Sequence, residues 1–300
     1  MQFLDTPDSR FQELDDYPFT GKYFSLESGM RVHYVDEGPE DAAETVLLMH
    51  GEPSWSYLYR FMIPPLVEAG YRCLAPDLIG FGKSSKPTKT SDYTYERHEQ
   101  WMQTWLEGID VNGLTLFCQD WGGLIGLRLV ANVPDRFSRV VVSNTFLPAG
   151  MTKPSEAFLK WQAYSQRVEK FPFEFVIQGA TTRELTDQEL AAYRAPYPSE
   201  EYTAGARIFP ALVPTEADDP EALKNKAIWA NTYTKWEKPL LTLFGDSDPV
   251  TSGGNKYFEK VVPGAKGQDH SIIKDGGHFI QEDKGSELAE KIIQFIQRNP

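Results

Sequence analysis

Gln119-Asp120-Trp121-Gly122-Gly123 constrains this chain more than any other stretch. It follows an apolar run, Gly113 to Cys118, that reads as a buried strand, and it precedes Leu124 to Val133, which reads as a helix stopped by Pro134. A residue on so sharp a strand-to-helix turn is pushed up above the sheet, which is the geometry of a nucleophile elbow. The glycines behind it suit a strand and a helix that approach closely. The elbow residue is an aspartate. Alone, an Asp before a helix is as readily an N-cap as a nucleophile, and Trp-Gly-Gly tilts the choice toward the nucleophile. A carboxylate nucleophile suits displacement at a saturated carbon and leaves an alkyl ester on the protein.

The surrounding pattern supplies the sheet that such an elbow needs. Tyr23 to Glu27 and Met30 to Val35 read as strands around a Ser28-Gly29 turn. Thr45 to Met49 is a continuous apolar run, as expected of a strand covered on both faces, and it ends in His50-Gly51-Glu52-Pro53-Ser54-Trp55. A helix over Tyr57 to Ala69, a strand over Tyr71 to Ala75, a helix over Tyr95 to Ile109, the elbow unit and a strand over Arg139 to Ser143 follow. This alternation predicts an α/β fold with a mostly parallel, doubly wound sheet.

From about Gly150 the alternation breaks. Helical pieces rich in aromatics run over Pro154 to Lys170, Phe171 to Gln178, Thr186 to Ala195 and Tyr202 to Phe209, punctuated by prolines. Strands resume at Pro239 to Phe244 and Ser271 to Lys274, and an amphipathic helix over Lys284 to Gln297 closes the chain. The expected division is a core of residues 1–149 and 227–300 with a helical cap inserted at 150–226.

Composition narrows the partners. At 300 residues and 41% hydrophobic the chain can bury a sizeable core, and a net charge of −13 argues against nucleic acid or an anionic membrane. No run is long and apolar enough to span a bilayer, and the start lacks the basic and apolar regions of a signal peptide, so the cytoplasm is expected. Cys73 and Cys118 both sit in apolar strands and read as buried free thiols. No metal-ligand cluster is visible, no cofactor is expected, and a monomer is.

Chain order then assembles a site. Asp120 follows the elbow strand, Asp248 the strand after the helical insertion, and His278 the last strand. Open α/β sheets build sites at the carboxyl ends of their strands, so the three converge. Nucleophile, acid, histidine is the order of an α/β-hydrolase triad. His33, His50, His98 and His270 do not follow the final strand. Asp246 competes with Asp248 for the acid. Asp248 is preferred because it precedes a Pro-Val turn, which leaves Asp246 as a loop residue in water.

These residues resemble the haloalkane dehalogenases of the α/β-hydrolase superfamily. The resemblance rests on the loops His50 to Trp55 and Gln119 to Gly123 and covers roughly residues 10–146 and 239–298. Glu52 after His-Gly, a cap tryptophan and a late Asp acid are similar to one subfamily; Asn144 stands where another carries a Glu acid. The resemblance implies that Asp120 displaces halide and that His278, oriented by Asp248, activates water against the ester. It implies an oxyanion hole from the backbone N–H groups of Glu52 and Trp121. It implies a halide held by the indoles of Trp121 and Trp161, since an anion unpaired in an apolar pocket is costly. The partners would be a small halogenated alkane and the halide product. Phe158, Phe171, Phe175 and Ile177 are candidates for the pocket wall or, equally, for the cap's own core.

Two other functions fit parts of the pattern. An epoxide hydrolase shares the Asp nucleophile but needs cap tyrosines to protonate an alkoxide, and Tyr164, Tyr193, Tyr197 and Tyr202 are available. A fluoroacetate dehalogenase carries arginines at the elbow, where this chain has Trp-Gly-Gly. A ligand-binding receptor of the same fold would not need the nucleophile.

Overall fold

The structure is a computed structural model and describes residues 1–12 and 14–300. Eight strands form one sheet: β1 (Lys22–Ser25), β2 (Arg31–Glu37), β3 (Thr45–Met49), β4 (Arg72–Pro76), β5 (Leu114–Gln119), β6 (Phe137–Ser143), β7 (Leu240–Gly245) and β8 (Ser271–Ile273). Their order across the sheet is β8-β7-β6-β5-β3-β4-β2-β1. β3 to β8 pair in parallel, whereas β1–β2 and β2–β4 are antiparallel.

Side-chain alternation along these strands builds two cores at once. Leu47, Met49, Leu74, Leu116, Cys118, Val140 and Val142 face one layer. Val46, Leu48, Cys73, Ala75, Phe117 and Val141 face the other. Both faces are apolar, which is why the strands read as unbroken hydrophobic runs. Outside the insertion the sheet is covered by α1 (Ile63–Glu68), α2 (Tyr95–Ile109), α3 (Trp121–Asn132) and two later helices described below. α2 and α3 lie on the first layer and α1 on the second. Cys73 and Cys118 are buried and free.

Several boundaries differ from those expected, for local reasons. The helix read over Tyr57 to Ala69 is split into a 3-10 turn (Ser56–Tyr59) and α1. Pro64 and Pro65 cannot donate to a preceding turn, so a helix tolerates them only where it begins. The elbow strand starts at Leu114, because Gly113 adopts a φ of 71°.

Between Ser143 and Leu240 the described residues form helices and turns: α4 (Glu156–Ser165), α5 (Phe173–Gly179), α6 (Asp187–Arg194), α7 (Ala204–Leu212) and α8 (Pro220–Asn231). Ser155, Thr186 and Asp219 cap α4, α6 and α8 with their side chains, and Thr186 does so in a capping box with Glu189. α8 runs across position 226 and is tied to α3: Arg128 Nε donates to Asn225 Oδ1 at 2.8 Å. Then come α9 (Asn255–Val261) and the closing α10 (Ile280–Arg298), which packs on the second layer and is broken at Lys284. Among the described residues no helix is long and apolar enough to cross a membrane.

Candidate active site

The elbow has the strained geometry that its sequence requires. Asp120 sits between β5 and α3 with φ 50° and ψ −128°, a conformation costly for a residue with a side chain. It persists because the surroundings leave no slack: a Cβ on Gly122 would lie 1.9 Å from Met49 O, and one on Gly51 would lie 2.2 Å from Asp120 Oδ1. Asp120 N–H donates to Asn144 O at 3.1 Å, and Thr145 Oγ1 donates to Asp120 O at 2.7 Å.

Around that carboxylate the strand ends deliver the other groups. Glu52, just beyond β3, donates its backbone N–H to Asp120 Oδ1 at 2.8 Å. His278, beyond β8, sets Nε2 3.4 Å from Asp120 Oδ2 and Nδ1 3.1 Å from Asp248 Oδ2. Asp248, beyond β7, is buried, and its Oδ1 accepts the Val250 N–H at 2.8 Å while Thr251 Oγ1 donates to Oδ2. Asp246 is exposed and takes only the Ser247 hydroxyl, at 2.8 Å. The structure thus brings Asp120, Asp248 and His278 together and leaves Asp246 outside.

The electrostatics follow from this packing. Burial alone would lower the His278 pKa, but the charge of Asp248 and the hydrogen bonds to Asp120 and Asp248 outweigh it and raise it to about 10. Burial would raise Asp248, yet His278 and the donors to its carboxylate hold it below its ordinary value. Burial and the nearby charge of Asp120 push the Glu52 carboxyl well above the usual range, outweighing the Trp161 side chain and the charge of His278, which pull it down. Its Oε1 has no hydrogen-bond partner among the described residues.

The remaining histidines are occupied elsewhere. His50 is buried with Nε2 accepting the Leu78 N–H at 2.9 Å and Nδ1 2.9 Å from Gly51 O, which fixes it as a neutral prop under the Glu52 loop. His33 pairs with Asp77 at 2.7 Å. His98 contacts Ile79 O and His270 contacts Ala265 O.

Asp120, Glu52 and His278 open onto a largely apolar cavity of about 650 Å³, roofed by α4 and α5. Trp121 and Trp161 both line it. Trp121 is 2% exposed and packs between Tyr95 and Phe209, whereas Trp161 leans on Phe171 with centroids 5.7 Å apart. Of the four wall candidates, Phe158 and Phe175 line the cavity. Phe171 is instead buried between Trp161 and Phe173, and Ile177 turns into the second core layer. Of the four cap tyrosines only Tyr164 reaches the cavity. Tyr193 donates to Glu282, and Tyr197 stacks on Phe173 at 3.9 Å.

Two residues near the base carry more than the motifs announced. Gln119 Nε2 donates to His278 O at 3.0 Å, and Asn144 donates to Gly277 O at 2.7 Å while accepting the Gly245 N–H at 2.8 Å. The only sequence signals were the place of Gln119 beside the elbow and that of Asn144 at a strand end.

A family model of the alpha/beta hydrolase fold matches residues 44–285. A haloalkane dehalogenase of Psychrobacter cryohalolentis is 54% identical, covering 100% of both chains. One of Mycobacterium marinum is 48% identical over 98% of this chain and 100% of that one. The chain belongs to the haloalkane dehalogenases. A solved member of that family, the tetrameric DpaA of Paraglaciecola agarilytica, superposes with a TM-score of 0.91 at 34% identity over 97% of each chain. DatA of Agrobacterium tumefaciens, at 23% identity and TM-score 0.76 over 98% of this chain and 100% of its own, shares the fold.

Proposed function

We propose that Asp120, His278 and Asp248 carry this chain's reaction in two covalent half-reactions. The chain is a hydrolase of carbon–halide bonds, turning a haloalkane and water into alcohol, halide and a proton. In the first half-reaction an Asp120 oxygen attacks the halogen-bearing carbon in line, the C–O bond forms and the C–X bond breaks. In the second, His278 takes a proton from water that attacks the ester's carboxyl carbon, and Asp248 steadies the imidazolium. Glu52 N–H already points at the Asp120 carboxylate, where the oxyanion of the tetrahedral intermediate develops; the Trp121 N–H is the second donor.

The observation that carries this reading is the linear set Asp120–His278–Asp248, with the carboxylate and imidazole on the floor of an apolar cavity. Trp121, beside the nucleophile, and Trp161, on the roofing helix α4, both line the cavity and are the two donors for the halide. The insertion at 150–226 acts as the cap that keeps bulk water from the ester. The cavity is well within the size range of drug-sized ligand sites, which favours long or bulky haloalkanes over the shortest ones. The expected monomer is tested by light scattering, and the mass of four chains would overturn it.

The test is His278→Phe. This variant should still be alkylated by a bromoalkane and should carry the adduct on Asp120 by intact mass and peptide mapping. Release of halide without any adduct, or an adduct on another residue, would refute the two-step scheme. Epoxide opening is the weaker reading, since it calls for cap hydroxyl donors, and of the four cap tyrosines Tyr164 alone lines the cavity, where Tyr257 of the core also stands.

A further inference from the structure

The loop that carries His278 is held from two sides. On the core side it hangs from Asn144 and Gln119, through Gly277 O and His278 O. On the other side a single carboxylate reaches it. Asp283 Oδ2 accepts the Gly277 N–H at 2.8 Å, and Oδ1 accepts the N–H groups of Thr182 and Arg183, both at 2.9 Å. Two further bonds close the ring: Phe279 N–H donates to Ala180 O at 3.1 Å, and Thr182 Oγ1 donates to Asp275 O at 2.6 Å. The residues on both sides of His278 are therefore bound to the 180–183 turn, which joins α5 to α6.

The fit is close. A Cβ on Gly277 would lie 2.7 Å from Ala180 O and 3.0 Å from Asp283 Oδ2. Asp283 also stands apart from the body of α10, because Lys284 leaves helical geometry with φ −141° and ψ 28°. Its carboxylate thus belongs to the loop and the cap turn rather than to the closing helix. Next to it, Arg183 pairs with Glu189 and Glu282, and Arg60 pairs with the same two acids in the buried floor of the junction.

We infer that Asp283 is a positioning residue for His278: it sets the height of the base's loop above the sheet and ties it to the cap turn at 180–183. The inference rests on the assignment of Asp120 as nucleophile and His278 as water base. It follows that Asp283 matters for ester hydrolysis, which needs a water-to-imidazole distance held closely, and not for alkylation, in which His278 transfers no proton. Asn is the informative replacement. An amide can keep its oxygen toward Thr182 and Arg183, but it then turns an NH2 toward the Gly277 N–H, a donor facing a donor.

The experiment follows adduct mass and halide release in wild type, His278→Phe and Asp283→Asn mixed rapidly with a bromoalkane. In Asp283→Asn the alkylation step should stay near the wild-type rate. Ester hydrolysis should slow by one to two orders of magnitude, as a misplaced catalytic group does. The ester then accumulates during turnover, and kcat and KM fall together. Adduct in His278→Phe but none in Asp283→Asn, with both steps slowed equally or neither slowed, overturns the inference alone. No adduct in His278→Phe overturns the reading of the site and this inference with it. Should Asp283→Asn fail to fold, Gly277→Ala perturbs the same contact from the other side, and ester accumulation there supports the inference as its absence overturns it.

Discussion

Replacing Trp161 by Phe separates a halide donor from a packing residue, because the ring is kept and the N–H removed. Trp161 is only partly buried and packs against Phe171 and Tyr164, with centroids 5.7 and 6.2 Å away. A phenyl ring retains much of that contact, so the melting temperature should move little. A hydrogen bond to a charged group contributes about 1.5–3 kcal/mol, and more so where the competing solvent is excluded. At 1.4 kcal/mol per tenfold, bromide affinity should drop by about one to two orders of magnitude. The carbon–halogen step should slow by a similar factor while ester hydrolysis is spared, since charge gathers on the halogen only in the first step. Bromide titration followed by quenching of tryptophan fluorescence gives the affinity, and rapid-mix halide release gives the step. Trp121→Phe is the companion, although its burial between Tyr95 and Phe209 adds a stability cost there. Unchanged bromide affinity in Trp161→Phe would refute the role given to that indole.

Two further outcomes follow from the acid and the base. Asp248→Asn should lose hydrolysis far more than Asp246→Asn, because of these two acids Asp248 alone touches the His278 ring; equal losses in steady-state halide release would show the acid to be misassigned. The His278 pKa is raised to about 10, so its contribution to stability is full below its ordinary value of 6.5 and is lost as pH rises toward 10. Asp248 is lowered, so its contribution is present above its ordinary value of 3.8 and is lost in acid. Lys86, fully buried and pushed down to about 7, acts in the opposite sense across the alkaline window. Melting curves of wild type minus His278→Phe cancel the lysine, and the difference should shrink between pH 6.5 and 10; a difference that stays flat would contradict the pairing.

What could be read without coordinates was whatever depends on short-range order. The elbow is a local motif whose small residues are dictated by a strand and helix in contact, and the positions of Asp248 and His278 follow from the fact that parallel strands all end on one side. The wall of the cavity was less legible. Phe158, Phe171, Phe175 and Ile177 lie on short helices, and helical spacing says that a side chain has a partner without saying whether the partner is protein or empty space. Thus Phe171 and Ile177 went to the packed side. The break at Pro64 is legible in the proline pair, but the apolar spacing around it argues for one continuous helix. Asp283 was beyond reach for another reason. Its partners are three backbone N–H groups, one six residues back and two about a hundred residues away, and backbone donors leave no mark on residue identity.

The raised pKa of His278 sits oddly with a role as base until the ester is considered. At rest the imidazole lies between two carboxylates and keeps its proton at neutral pH. In that state it cannot take one from water, and on the proposed scheme it need not, because the first step there is a displacement by Asp120. Esterification then removes the negative charge and the hydrogen-bonding oxygen that Asp120 offered to Nε2. Burial, which favours neutral imidazole, is left opposed by Asp248 alone, so the pKa falls when the base is first needed. On the proposed scheme the proton of the overall reaction therefore leaves His278 at the ester stage. Hydrolysis afterwards returns a proton from water to the ring and the charge to Asp120, restoring the resting pair. Such timing needs no moving part beyond the bond made to the nucleophile, provided that the loop carrying His278 stays where Asp283, Asn144 and Gln119 hold it.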